Sequence, residues 1–241
     1  MSTLLLRLAG PLQAWGSSSK FNTRYTDKEP TKSGVIGMIA SAMGKSRDDP
    51  LDDLNSLSFG VRVDQEGELQ KDFHTAHSTK NQKLSFVTYR HYLGDALFIV
   101  GLEGDADLLS RIESALRSPT YPLFLGRRAC PPTMPIVLGV SNATLRDALL
   151  GEPWRAADWY KKKNSSSVNL RIICDTVSGD AELTNVRDRP ISFSQSHRKH
   201  GFRNIANLAV TVENPLGKKP KKELQTDHDP FTELKEFGGG E

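Results

Sequence analysis

The stretch of the chain that decides the fold is Leu97-Phe98-Ile99-Val100-Gly101-Leu102, a run without a charged or polar side chain. A short, continuous apolar run of this kind predicts a strand that is buried on both faces of a sheet. Gly94-Asp95 precedes it as a turn, and a long alternating segment from Leu84 to Leu93 leads into that turn. The run therefore predicts a central strand.

The segments around this strand follow a known order. Thr3 to Leu8 and Ile136 to Val140 are apolar and predict buried strands, and Phe59 to Val63 alternates as a strand does. Two further segments carry apolar residues at helical spacing, Val35 to Met43 and Leu108 to Leu116. The order strand, helix, strand, strand, helix, strand is that of the ferredoxin-like α+β fold, which RNA-recognition domains share.

The domain organisation follows from the same pattern. We expect a ferredoxin-like domain over residues 1–140 with an insertion around 65–93, and a smaller β-rich region over 141–214. Val168 to Cys174 and Asn207 to Val212 are the strands predicted in that second region. Residues 215–241 are rich in lysine and glycine, which predicts a disordered basic tail.

Composition excludes some classes of protein. The 241 residues are 37% hydrophobic and 25% charged, and their net charge is only +3. A protein that coats nucleic acid by itself carries a stronger positive field, so any such binding must be local. The two cysteines, Cys130 and Cys174, lack metal-ligand spacing and are expected to be reduced. No apolar run has membrane-spanning length and no signal-peptide layout is present, so we expect a cytoplasmic protein that does not enter a membrane.

A second stretch points to function: Leu123-Phe124-Leu125-Gly126-Arg127-Arg128-Ala129-Cys130-Pro131-Pro132. Arginine presents a fixed fork of donors that matches phosphate oxygens, and glycine lets a backbone approach a ligand closely. The two prolines restrict the segment to an extended path. Two interpretations stay open, a binding site for a phosphate-bearing partner or a surface turn whose arginines point into water.

The segment Pro30-Thr31-Lys32-Ser33-Gly34 predicts the start of a helix, because hydroxyl side chains cap helix N termini. The unpaired N–H groups of such a terminus bind anions, and Lys32 would add positive charge. Plain capping with Lys32 in solvent is the alternative, and these residues by themselves favour it.

No catalytic signature is present. The sequence has no phosphate-binding Walker loop, no dinucleotide glycine fingerprint and no Gly-x-Ser-x-Gly motif. Two His-x-x-His pairs, His74/His77 and His197/His200, lack the nearby cysteines or carboxylates that complete a zinc site. We therefore expect neither a metal nor a cofactor.

Metal-independent RNA cleavage is the one enzymatic alternative. It needs a general base near a ribose 2′-hydroxyl and cations that stabilise the developing charge. Such groups occur in Tyr89-Arg90-His91-Tyr92 and in Lys199-His200. RNA binding without cleavage needs only Arg90 and an aromatic face, and is the favoured interpretation.

Several motifs in the first 140 residues occur together in one family. They are Leu8-Ala9-Gly10-Pro11-Leu12-Gln13-Ala14-Trp15-Gly16, Pro30-Thr31-Lys32-Ser33-Gly34, Tyr89-Arg90-His91-Tyr92-Leu93 with Asp95-Ala96, and Leu125-Gly126-Arg127-Arg128-Ala129-Cys130-Pro131. In this order they resemble the CasD-type subunit of the type I-E CRISPR Cascade complex, which belongs to the RAMP superfamily. The region after Val140 matches weakly.

The resemblance implies a RAMP-type ferredoxin-like domain whose insertion is a β-hairpin that projects like a thumb. It also implies a noncatalytic role in antiviral defence, in which the subunit binds the 5′ handle of the CRISPR RNA (crRNA) and caps one end of the backbone filament. The implied partners are the crRNA, the repeated Cascade backbone subunit, the Cascade large subunit and, through the complex, the target DNA.

The resemblance also implies a set of RNA-binding residues. They are Gln13, Trp15, Lys32, Ser33, Arg90, Tyr121, Phe124, Gly126, Arg127 and Arg128. Arg90 would contact the handle, residues 121–128 would line its path, and Phe124 would offer a stacking surface. Gln13, Trp15, Lys32 and Ser33 would either touch RNA or shape the loop, and the polar setting of Trp15 predicts an exposed ring.

Overall fold

The computed structural model of the chain describes residues 2–16, 22–78, 85–177, 180 and 183–218. The helices are α1 (Lys32–Ala42), α2 (Asp52–Asn55), α3 (Ala106–Arg117), α4 (Leu145–Gly151) and α5 (Asp158–Lys163). The strands are β1 (Ser2–Ala9), β2 (Leu12–Gln13), β3 (Thr23–Arg24), β4 (Ser58–Gln65), β5 (Glu68–His77), β6 (Ser85–Gly94), β7 (Leu97–Gly104), β8 (Val137–Ser141), β9 (Ser167–Asp175), β10 (Thr184–Ser192) and β11 (Lys199–Glu213).

A large antiparallel sheet organises the molecule. Its strand order is β10-β11-β9-β4-β7-β1-β8, and each neighbouring pair is antiparallel. Strand β7 lies inside this sheet between β4 and β1 and is buried from Leu97 to Leu102, which confirms the predicted central strand. The chain is thus a strand-rich α+β protein.

Helices cover both faces of this sheet. Leu4, Leu6 and Leu8 of β1 belong to the larger core, which also contains the apolar sides of α1 and α3. Leu5 and Ala9 point the other way, into a second core formed with α4. Because neighbouring side chains of a strand point to opposite faces, a run that is apolar throughout supplies both cores at once.

Two glycines let α4 approach the sheet closely. Gly60 of β4 and Gly101 of β7 are paired across the strands. A Cβ atom on Gly60 would lie 2.7 Å from Leu149 Cδ1, and one on Gly101 would lie 2.6 Å from Leu145 Cδ1. The leucines of α4 therefore occupy the space that side chains on these two strands would fill.

A second, smaller sheet surrounds β6. Strand β5 pairs with β6 along its full length, from Glu68 opposite Gly94 to His77 opposite Ser85, and every residue of β5 is exposed. The other edge of β6 holds the short strands β2 and β3. Strands β5 and β6 thus form a long β-hairpin where the insertion around 65–93 is predicted, and residues 79–84 between them lie outside the described part.

The C-terminal half supplies the other edge of the large sheet. The strands predicted at Val168 to Cys174 and Asn207 to Val212 are confirmed, because they lie within β9 and β11. Strand β9 pairs with β4, so these strands continue the sheet that begins with β1. The division at residues 140 and 214 stays a prediction, and the tail beyond Lys218 lies outside the described residues.

A buried ion pair fastens α4 to the sheet. Arg62 and Asp64 of β4 are fully buried, and Arg62 Nε donates to Asp64 Oδ1 at 2.7 Å. The guanidinium also donates to the carbonyl oxygens of Leu149, at 2.7 Å, and Pro153, at 2.9 Å. Burial raises the pKa of Asp64, and the guanidinium opposes that shift. The pair therefore satisfies the carbonyl groups where α4 ends.

We predict that Arg62→Ala lowers the free energy of unfolding by about 3–5 kcal/mol, because it leaves the Asp64 carboxylate buried without its cation. Urea unfolding monitored by circular dichroism measures the change. Arg117→Ala is the control, since Arg117 pairs with Glu113 on the surface of α3, and it should cost less than about 1 kcal/mol. Equal losses in the two variants would contradict the role of the buried pair.

Candidate nucleic-acid interface

The segment predicted to bind phosphate forms a closed loop anchored at both ends. Leu125 and Cys130 are fully buried, and Leu125 N donates to Cys130 O at 2.7 Å. Gly126 between them has φ +84°, and a Cβ atom there would lie 1.8 Å from Ala14 O. The close backbone approach that this glycine permits is therefore to its own chain, where Ala14 N donates to Leu125 O at 3.1 Å.

The two arginines that follow have different roles. Arg127 Nη1 donates to His91 O at 3.1 Å, and Nη2 donates to Arg24 O at 2.9 Å and Tyr25 O at 3.2 Å. Its guanidinium carbon lies 4.8 Å from the centre of the Tyr92 ring. Arg128 is exposed. Arg127 thus joins three segments of the chain, whereas Arg128 faces outward.

A second pair of arginines lies beside this loop. Strand β3 runs parallel to β6 and places Arg24 in register with Arg90. Arg24 is exposed, and Arg90 is half-buried. The buried Nε of Arg90 and Nδ1 of His91 have no hydrogen-bond partner within the described residues. Burying a polar atom without a partner costs free energy, and both atoms are shielded from solvent.

Aromatic side chains lie on the opposite face of β6 from Arg90. Tyr25 stacks on His91, with ring centres 5.0 Å apart and planes at 16°. Tyr89 of β6 faces Phe73 of β5 across the hairpin, and Phe73 is 66% exposed. Lys71 Nζ lies 4.2 Å from the centre of the Tyr89 ring. Exposed rings beside positive charge are what unpaired bases need for stacking.

Two predicted site residues that precede this surface in sequence, Gln13 and Trp15, are buried. Trp15 is 1% exposed, so the expectation of an exposed ring is wrong. Its Nε1 donates to Gln13 Oε1 at 3.0 Å, and Gln13 Nε2 donates to Ala96 O at 2.7 Å. A Cβ atom on Gly34 would lie 2.8 Å from the Trp15 ring, which shows how closely α1 packs on it. Their contacts favour the alternative in which both residues shape the loop.

The start of α1 is capped as predicted, because Thr31 Oγ1 accepts from Gly34 N at 3.2 Å. The expectation of a solvated Lys32 is wrong. Lys32 Nζ is buried, donates to Leu57 O at 2.7 Å and pairs with Asp175 at 3.1 Å. Burial lowers the pKa of Lys32, and Asp175 opposes that shift.

The anion at this helix terminus is a carboxylate of the chain itself. Lys32 N donates to Asp188 Oδ2 at 2.8 Å. Arg203 completes the cluster, with Nη1 at 2.6 Å from Asp175 Oδ1 and Nε at 2.6 Å from Asp188 Oδ1. This network joins α1 to β9, β10 and β11, and Ser33 beside it is buried.

The remaining predicted residues lie along the segment after α3. Tyr121 is exposed and Phe124 is half-buried.

Within the described residues, no group of three or more His, Cys, Asp and Glu side chains is arranged to hold a metal ion. In the same part of the chain, no helix is both long and apolar enough to cross a membrane.

Sequence reasoning did not single out Arg24 as a site residue. Its place beside Arg90 depends on the parallel pairing of β3 with β6, two segments separated by more than sixty residues in sequence. No local pattern announces that pairing, since β3 is only two residues long. Its adjacency to Tyr25 in a polar loop was the one available signal.

Comparisons with known proteins place these motifs in a family. A family model described as "CRISPR-associated protein (Cas_Cas5)" matches residues 3–206. The Escherichia coli (strain K12) protein "CRISPR system Cascade subunit CasD" is 34% identical over 191 residues, which cover 70% of this chain and 85% of that protein.

Solved structures are similar over most of the chain. A chain of a "CRISPR RNA-guided surveillance complex" has a TM-score of 0.74 at 32% identity, and the match covers 97% of this chain and 99% of the other. A second, titled "Crystal structure of Cas protein", has a TM-score of 0.65 at 35% identity and covers 88% of this chain and 95% of that one.

We predict that Arg127→Ala lowers the free energy of unfolding by about 1–3 kcal/mol, because three carbonyl groups lose a charged donor. Arg128→Ala is the matched control and should change stability by no more than about 0.5 kcal/mol, since its side chain is exposed. Urea unfolding of both variants measures the difference. If the two variants unfold at the same urea concentration, Arg127 does not hold these segments together.

Proposed function

We propose a specific role for this chain, which belongs to the CRISPR-associated Cas5 family and is a Cascade subunit. It is the noncatalytic subunit that binds the 5′ handle of the crRNA. In this proposal it caps one end of the backbone filament of a type I-E complex and serves antiviral DNA targeting. Its direct partners are the crRNA, the repeated backbone subunit and the large subunit, and it meets target DNA through the complex, in the cytoplasm.

The observation that carries the proposal is that strand β6 bears both cations and exposed rings, with Arg90 beside Arg24 on one face and Tyr89 beside Phe73 and Lys71 on the other. Arginine donors suit phosphate oxygens, and aromatic rings suit the bases of an unpaired strand. A net charge of only +3 agrees with a short bound segment whose affinity is shared with other subunits.

The proposed function also includes a domain division and a role for the β5–β6 hairpin. We assign residues 1–140 to a ferredoxin-like RAMP domain and residues 141–214 to a smaller β-rich region. The β5–β6 hairpin is the thumb-like projection, because its strand β5 is exposed along its whole length. An exposed hairpin extends the surface that can reach the RNA or a neighbouring subunit.

The predicted site residues divide into two groups in this proposal. Arg90, Arg128, Tyr121 and Phe124, together with Arg24, face the RNA. The others position that surface through contacts within the chain: Gln13, Trp15, Lys32, Ser33, Gly126 and Arg127.

We predict that the triple variant Arg24→Ala, Arg90→Ala, Arg128→Ala lowers the crRNA retained by the assembled complex at least about tenfold, which corresponds to about 1.4 kcal/mol. Co-purification with the other Cascade subunits, followed by quantification and sequencing of the RNA, measures the effect. The control is Arg47→Ala, Arg111→Ala, Arg117→Ala, which removes the same charge from exposed positions near α1 and on α3. Normal retention in the first variant would refute handle binding at this surface.

The noncatalytic part of the proposal has its own test. A general base must reach the ribose 2′-hydroxyl, and the stacked ring and buried Nδ1 of His91 withdraw that nitrogen from an incoming hydroxyl. We therefore expect repeat RNA to stay intact when it is incubated with the protein and no metal. Specific scission at the handle boundary that disappears in His91→Ala would show instead that the chain is a metal-independent endoribonuclease.

A further inference from the structure

A run of lysines and a single lysine far from it in sequence meet at the end of α5. Lys161, Lys162 and Lys163 form the last turn of this helix. Lys218 lies beside them, because its backbone N donates to Asn164 O at 3.0 Å. We call these four residues the α5 lysine surface. It does not include Arg24, Arg90 or Arg128.

Hydrogen bonds of Asn214 and a close backbone contact at Gly217 hold Lys218 in this position. Asn214 is buried, and its Nδ2 donates to Lys161 O at 2.8 Å and to Ser165 O at 2.7 Å. A Cβ atom on Gly217 would lie 2.2 Å from Ser165 O, so only glycine permits this backbone approach. The position of Lys218 beside the lysines of α5 is therefore fixed by buried hydrogen bonds and close packing.

Aromatic rings hold part of the lysine array. Lys163 Nζ lies 4.9 Å from the centre of the Trp159 ring, and Lys161 Nζ lies 5.3 Å from the centre of the Trp154 ring. Lys162, Lys163 and Lys218 are exposed. Residues 158–163 and 213–218 contain four lysines and two carboxylates, Asp158 and Glu213, so the surface keeps a positive excess. An array of ammonium groups at the surface attracts a polyanion.

This surface is attached to the opposite face of the large sheet from the arginine loop. Asp64 O accepts from Trp154 Nε1 at 2.7 Å, and Asp64 Oδ2 accepts from Arg155 N at 2.6 Å, which fixes the approach to α5 on the α4 side. Leu125 of the arginine loop belongs to the core beneath α1 and α3. A ligand held here is therefore not the segment that lies on the arginine loop.

We infer that the α5 lysine surface binds the phosphate backbone of double-stranded DNA without regard to sequence. Lysines are compact point charges that suit backbone phosphates, and no arginine fork is part of the array. Each phosphate contact releases more condensed counterions from a duplex than from a single strand, so an array that binds through charge favours the duplex. This inference does not depend on where the crRNA handle binds.

The test uses the purified full-length chain and a fluorescent 30-base-pair duplex of arbitrary sequence at low salt. Lys161→Ala, Lys162→Ala, Lys163→Ala should weaken binding at least about tenfold and make the slope of log affinity against log salt shallower by about 2–3, as expected for the loss of three phosphate contacts. Arg47→Ala, Arg111→Ala, Arg117→Ala removes the same charge from another face and should change the affinity less than about twofold. Thermal unfolding checks that both variants fold.

A charge-keeping variant and a single-stranded RNA probe distinguish the possible outcomes of this test. Lys161→Arg, Lys162→Arg, Lys163→Arg keeps the charge and should retain duplex binding within about threefold. Equal losses in the alanine variant and the control would overturn the inference, because bulk charge would then explain binding. No duplex binding by the unchanged chain would overturn it as well. A loss for single-stranded RNA without a loss for the duplex would assign the surface to RNA and refute the proposal as stated.

Discussion

The rest of the structure depends on the burial of β7 on both faces of the large sheet. Because its side chains are apolar in both directions, each face needs a cover, and α1 with α3 provides one while α4 provides the other. Covering the second face requires Gly60 and Gly101, which leave room for the leucines of α4, and Arg62, which satisfies the carbonyl groups where that helix ends. The approach to α5 is built onto this cover through Asp64.

The candidate interface shows how one residue type serves two purposes. Arg127 and Arg62 donate to backbone carbonyl groups of distant segments, so their guanidinium groups act as internal connectors. Arg90 retains a buried donor without a partner within the described residues, and Arg128 is exposed. The difference lies in how many of the five donors of each arginine the fold already uses.

Particular residues show why sequence patterns predicted the motifs of the site better than the roles of its members. The helix start at Thr31 was predictable, because capping is a local interaction between residues three apart. The burial of Lys32 was not, because its partners Asp175 and Asp188 come from strands more than 140 residues away. Trp15 stands in a polar loop and yet packs beneath α1, since Gly34 offers it a flat surface that no local pattern reveals.

The sequence by itself determined the central strand, the helices with apolar spacing and the family motifs, because each depends on residues that are neighbours along the chain. Only the tertiary structure decided which arginines face outward, that Arg24 joins Arg90, and that Lys218 meets the lysines of α5. These outcomes depend on strand pairing and on buried hydrogen bonds between distant segments. Such contacts leave no periodic trace in the chain, because their free energy arises only when the whole sheet has formed.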